Sequence, residues 1–249
     1  MVTLERLPSA AEMVRLLDRH VTGQARAKRD LTAAVYRHYL GLAWREAEGA
    51  AARDLGRQHV LLLGPTGCGK TLMASTLARL LGVPFAFAAA TEMTENGYVG
   101  DDVEAPFQTL LAIAQGNARR AERGIILLDE FDKLRRQNTG GQRDISGEGV
   151  QNGLLTLFDG RIVNIGSRET RIGLDSSRTL FVCTGAFVGL ADIVRARLTR
   201  ESAAATGGSV SVPRSPPTGW ATTTRWRASP PPTWSSSGCC PRCSAASPP

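Results

Sequence analysis

The 249-residue chain has no acidic residue after Glu201, no histidine after His59, and no Leu, Ile or Phe from Thr206 onward. Each absence excludes something. Cys239, Cys240 and Cys243 crowd the tail, but a zinc site there needs a fourth ligand and no histidine is near, which argues against one. The tail also holds nine of the thirteen prolines and three of the four tryptophans. With so little to bury against its ordering entropy, it is predicted to be disordered. No apolar run approaches the ~20 residues that span a bilayer. Met1 to Pro8 carries Glu5 and Arg6 and lacks an apolar signal core, so a cytoplasmic location is expected.

The net charge of +7 is no nucleic-acid footprint, because Arg214, Arg225, Arg227 and Arg242 supply four of the charges from the acid-free tail. Residues 1–201 carry 26 basic and 23 acidic groups, a balance of +3. Nucleic acid is therefore not expected as a partner.

What is present reads as an α/β chain. Ser9 caps a first helix with Met13, Leu16 and Leu17 at helical spacing, and Ala25 to Leu40 resumes the pattern after Val21-Thr22-Gly23-Gln24. Ala43 to Arg57 reads as a polar connector. Next come a strand at His59–Leu63, a glycine-rich turn and a helix from Lys70 to Leu81. A strand over Val83–Ala89, a helix over Val103–Arg123 and an apolar strand over Ile125–Leu128 follow. Val150–Phe158 reads as a helix and Thr179–Cys183 as a further inner strand. Strands buried on both faces and alternating with helices predict a mainly parallel sheet. The expected division is 1–57 for helices and connector, 58–205 for a nucleotide-binding core and 206–249 for the tail.

Gly64-Pro65-Thr66-Gly67-Cys68-Gly69-Lys70-Thr71 fits the P-loop pattern G-x-x-x-x-G-K-[ST], with a strand before it and a helix after it. Its glycines let backbone N–H groups close around phosphate oxygens, and the helix from Lys70 directs its positive end at them. Gly64 to Leu72 is therefore the predicted ATP-binding segment. Lys70 is assigned to the β- and γ-phosphates and the Thr71 hydroxyl to Mg²⁺. The partner motif is Ile125-Ile126-Leu127-Leu128-Asp129-Glu130, an apolar strand ending in two acids at the edge where such sheets bind ligands. Asp129 is assigned to Mg²⁺ and Glu130 to the attacking water, so ATP hydrolysis is expected.

Continuing through Glu130-Phe131-Asp132-Lys133, the sequence resembles the AAA+ ATPases and, within them, the ClpX-type protein unfoldases, the ATPase subunits of Clp proteases. Val21-Thr22-Gly23-Gln24 is similar to that family's adenine-side box, which gives Val21 a nucleotide contact. Thr94 to Glu104 is similar to its first pore loop and Arg143 to Gln151 to its second. Phe181 to Phe187 falls where the family has its sensor-1 strand. The resemblance covers about residues 7 to 200. It implies that Thr184 senses the γ-phosphate and that Tyr98, Val99 and Arg143 line a pore. It also implies unfolded or tagged protein substrates, a Clp-type peptidase partner and a hexameric ring. Gly97 and Gly100 flank Tyr98 and Val99: spacing alone reads as a surface turn whose tyrosine tucks into the core, whereas the resemblance implies a hinge on each side of two bulky groups that, in a ring of subunits, would grip a chain without reading its sequence.

The resemblance fails in three places. No cysteine precedes Cys68, so the family's amino-terminal zinc domain is expected to be missing. The Gly160–Thr179 stretch is short and lacks the Arg-Lys-His string of the substrate-entry loop. After about Arg200, the peptidase-docking loop, arginine finger, sensor-2 arginine and small helical domain are not found. Back-translated with GC-rich codons and read from the third base, Pro232 to Cys243 can yield Asp-Leu-Val-Glu-Phe-Gly-Leu-Leu-Pro-Glu-Val, similar to the family's segment before that finger. The expectation is a lid-less chain, frameshifted near residues 201–207. Two other functions stay open: an ATP-binding interaction module with little turnover, and a DNA-directed AAA+ motor, which salt-sensitive DNA binding would reveal.

Overall fold

The computed structural model describes residues 7–48, 57–94, 101–134, 145–166, 171–205 and 224–225. Helix α1 (Ala10–Asp18) opens with a capping box. The Ser9 hydroxyl accepts from the Glu12 N–H at 3.3 Å, and Glu12 accepts from the Ser9 N–H at 2.8 Å, which satisfies two otherwise orphaned donors. Helix α2 (Ala25–Glu48) runs past the expected end at Leu40. Of the residues read as connector, those up to Glu48 continue the helix, and its far end is anchored: Glu46 pairs with both Arg123 and Arg178.

The chain then enters β1 (Val60–Leu63), α3 (Lys70–Leu81), β2 (Phe85–Ala89), and the two-residue strands β3 (Met93–Thr94) and β4 (Asp101–Asp102). Helices α4 (Ala105–Ile113) and α5 (Ala118–Glu122) follow. They replace the single helix expected over Val103–Arg123. The break lies at Gln115 and Gly116, whose φ of 56° and 78° no helix accommodates, and Asn117 caps α5 with its side chain. Strand β5 (Ile125–Asp129), helix α6 (Ile145–Asp159), the antiparallel hairpin β6 (Ile162–Ile165) and β7 (Ile172–Asp175), strand β8 (Leu180–Gly185) and helix α7 (Leu190–Ala205) complete the core. Neither the hairpin nor α7 is evident from the sequence pattern. In the tail, Thr224–Arg225 forms β9; the remaining tail residues, where disorder was expected, lie outside the described ones.

The main sheet has the order β2-β5-β8-β1-β9, and every pair in it is parallel. Its central strands are buried on both faces, and their side chains alternate between two cores as the two-residue strand period requires. Ile125, Leu127, Leu180 and Val182 join Met13, Leu17, Leu31 and Leu77 on one side. Ile126, Leu128, Phe181 and Cys183 join Phe107, Leu110, Leu154 and Leu157 on the other. Because the strands run the same way, the exits of β1, β5 and β8 converge on one edge. Among the described residues, no helix is long and apolar enough to cross a membrane.

Phe181 is the hub of the second core, in edge contact with Phe158 at 4.9 Å, His59 at 5.5 Å and Phe107 at 6.1 Å between ring centroids. Phe181→Ala is expected to cost about 3–5 kcal/mol through lost burial and an unfilled cavity. Urea unfolding of the two proteins measures it.

Candidate functional site

The strand exits build the site. After β1 the chain turns through Gly67 and Gly69, with φ of 80° and 89°, a left-handed geometry that favours glycine. Gly69 is the N-cap of α3 and offers no side-chain cap, so the first N–H groups of the helix face the cleft. Gly64 N–H donates to the Gly185 carbonyl at 3.1 Å, which ties the exit of β1 to that of β8. The buried Lys70 ammonium donates to the carbonyls of Gly64 at 2.8 Å and Pro65 at 2.9 Å, with the Cys68 sulfur at 3.8 Å.

Asp129 closes β5 and is the meeting point. Its Oδ1 accepts from Thr184 Oγ1 at 2.5 Å and from the Glu130 N–H at 2.8 Å, and its Oδ2 accepts from Thr71 Oγ1 at 3.4 Å. Residues 55 and 58 positions apart thus share one carboxylate. Glu130 follows in a left-handed conformation, φ 56° and ψ 30°. For a residue with a Cβ this costs about 1–3 kcal/mol and is typical of functional turns. Its carboxylate accepts from Lys133 Nζ at 2.5 Å and Thr91 Oγ1 at 3.0 Å. Lys133 first and Thr91 second stabilise the ionised form and hold the Glu130 carboxyl below its ordinary value, while the same ion pair raises the Lys133 ammonium.

These groups surround a cavity of about 330 Å³. From the predicted set, Thr66, Gly67, Gly69, Lys70, Thr71 and Leu72 line it, with Asp129 and Glu130 on the opposite wall. Gly64 and Pro65 do not line it, but their carbonyls hold Lys70, which does. Val21 is buried in the first core, and Cys68 packs against that core rather than against the cavity. Thr184 is fully buried and reaches the site through Asp129. Tyr98, Val99 and Arg143 lie outside the described residues, as do Cys239, Cys240 and Cys243.

The sequence reading gave no role to Thr91, Asp132 or Lys133. The last two stood in its quoted Glu130-Phe131-Asp132-Lys133 string and carried a signal; Thr91 carried none. Among the described residues, no three His, Cys, Asp or Glu side chains gather as a metal-holding group. Thr71 and Asp129 nevertheless offer hard oxygens side by side, which suits Mg²⁺, a cation that completes its shell with phosphates and water.

The model of a family described as AAA domain (Cdc48 subfamily) matches residues 57–210. The chain is similar to the ATP-dependent Clp protease ATP-binding subunit ClpX of Porphyromonas gingivalis, with 43% identity over 213 residues that cover 82% of this chain and 51% of the relative. It is equally similar to the protein of that name from Borrelia duttonii, with 43% identity over 204 residues covering 78% and 47%. The chain thus spans about half the length of the curated relatives it matches.

The Glu130–Lys133 pair has a testable titration. A carboxyl held low keeps its ion pair at neutral pH and loses it as pH falls through its folded-state pKa. Lys133→Met removes the larger of the two causes, so carbon-detected NMR titration is expected to show the Glu130 carboxyl moving upward toward its ordinary value. An unmoved titration would show that the ion pair does not form in solution.

Proposed function

The chain belongs to the AAA domain family, and on that premise we propose that it binds ATP with Mg²⁺ in the cleft between α3 and the ends of β5 and β8, and hydrolyses it. The observation that carries this reading is the Asp129 carboxylate, within hydrogen-bond reach of both Thr71 and Thr184 beside a glycine-built turn. The N–H groups of that turn cradle the phosphates, and Lys70 exchanges the Gly64 and Pro65 carbonyls for phosphate oxygens. Thr71 and Asp129 hold the cation. When bound, Mg²⁺ neutralises phosphate charge and polarises the transferring group. Glu130, kept ionised by Lys133 and Thr91, orients and polarises the attacking water. Thr184 reads the γ-phosphate end, and Val21 contributes to the adenine side.

The wider role we infer is that of an ATP-dependent protein unfoldase subunit, cytoplasmic, working as a ring with a Clp-type peptidase. Two relatives that bear the name of the ATP-binding subunit of that protease support it. In this reading Tyr98, Val99 and Arg143 line the pore and contact unfolded or tagged substrate.

Glu130→Gln tests the chemistry. ATP hydrolysis is expected to fall by about 10²-fold or more, the scale of general base catalysis, while ATP binding is retained. Equal turnover in both proteins would remove Glu130 from the mechanism. ATP binding without turnover in the unsubstituted chain would favour a nucleotide-dependent interaction module.

A further inference from the structure

Asp132 is the acidic residue of the site to which neither phosphate nor cation chemistry gives a task. It lies in the single turn of 3-10 helix Phe131–Lys133 after β5. Its side chain reaches across to the chain leaving β8: Asp132 Oδ2 accepts from the Phe187 N–H at 3.1 Å. Two features show that this contact is built. Phe187 has a φ of 49°, a left-handed conformation unfavourable for an aromatic residue. Gly185 leaves space for both side chains, because a Cβ there would fall on Asp132 Oδ1 and stand 2.8 Å from Phe187 Cε2, pushing them aside.

The exit of β8 is therefore tied at three successive points. Thr184 donates to Asp129, the Gly185 carbonyl accepts from Gly64, and the Phe187 N–H donates to Asp132. The first two ties belong to the phosphate cavity. The third sets the turn that follows, in which Leu190 N–H donates to the Phe187 carbonyl at 3.1 Å as α7 begins. Asp132 also stands on the wall shared by the phosphate cavity and a neighbouring apolar cavity of about 470 Å³ lined by Phe131, Phe158 and Phe187. Without the carboxylate, the strained Phe187 keeps its carbonyl bond from Leu190 but loses the partner of its N–H. The backbone would relax and draw Gly185 and Thr184 with it.

We propose that Asp132 is a positioning residue: by holding Phe187 in its left-handed turn, it keeps the Thr184 hydroxyl in register with the phosphate cavity, so that the chain distinguishes ATP from ADP. The inference rests on the proposed nucleotide reading of this site. The decisive contact is a hydrogen bond, so an oxygen acceptor suffices and the negative charge is not required.

The test uses the full chain carrying Glu130→Gln, with ATP and ADP affinities measured by calorimetry and Thr184→Val as the benchmark. Asp132→Ala is expected to lose about tenfold in the ratio of ADP to ATP dissociation constants, the cost of leaving one N–H donor unpaired, with ADP affinity unchanged. Asp132→Asn is expected to keep the ratio. If Asp132→Ala fails to fold, Gly185→Ala displaces the same carboxylate and is expected to give the same loss. Amide hydrogen exchange without nucleotide reads the clamp directly: Phe187 exchanges about tenfold faster in Asp132→Ala and is little changed in Asp132→Asn.

Equal losses in the Ala and Asn variants would overturn the inference in favour of a charge effect. Unchanged discrimination, or an unchanged Phe187 amide in Asp132→Ala, would also overturn it. A chain that binds both nucleotides equally overturns it too, yet leaves nucleotide binding intact. A chain that binds neither refutes the nucleotide reading itself.

Discussion

A single carboxylate organises this molecule. Asp129 accepts hydrogen bonds from Thr71 at the start of α3, from Thr184 at the end of β8, and from the backbone of Glu130 beside it. A buried or half-buried acid satisfied in this way is oriented before any ligand arrives, and such preorganisation is what electrostatic catalysis needs. The parallel sheet is what makes the meeting possible. With β5, β8 and β1 side by side and pointing the same way, residues distant in sequence reach one edge without any long loop being ordered.

The supports of that edge lie far from it. Ile125 to Leu128 and Leu180 to Cys183 are almost wholly enclosed, with alternate side chains in two separate cores. A shift of one strand by one residue would exchange the cores and expose nothing gained, so the register is fixed. The opposite edge is bound by ions and hydrogen bonds. Glu46 meets Arg123 and Arg178, Arg178 meets Glu122 at 3.2 Å, and the Tyr39 hydroxyl donates to the Arg123 carbonyl at 2.9 Å. These contacts tie the end of α2 to the entrances of β5 and β8, opposite the site. Burial and the two arginines act against each other at Glu46, and the arginines win, leaving its carboxyl below the ordinary value.

The sequence was most legible where backbone chemistry and pattern agreed. Helix α3 was bounded correctly because Gly69 and Gly82 take left-handed conformations at its two ends. Strands β5 and β8 were legible because strands buried on both faces read as short, nearly continuous apolar runs. The break between α4 and α5 was missed because the helix was read straight through Gln115 to Asn117, where left-handed backbone ends one helix and Asn117 caps the next. The hairpin β6–β7 was missed because its side chains are half exposed and show no continuous apolar run. In the site, the P-loop and the acid pair announced themselves by spacing. Thr91 could not, since it comes from beyond the far edge strand of the sheet and meets Glu130 only through the fold. Asp132 was visible as part of a string, but its work is done on Phe187, 55 positions away.

The dependence of ATP affinity on Mg²⁺, compared between the unsubstituted chain and Asp129→Asn, tests the central claim most directly. If one carboxylate joins α3, β8 and the cation, Mg²⁺ should tighten ATP binding to the unsubstituted chain by about tenfold or more, a difference of ~1.4 kcal/mol or above, and should do little for Asp129→Asn. A variant that keeps the full Mg²⁺ dependence would contradict the account and remove Asp129 from its centre.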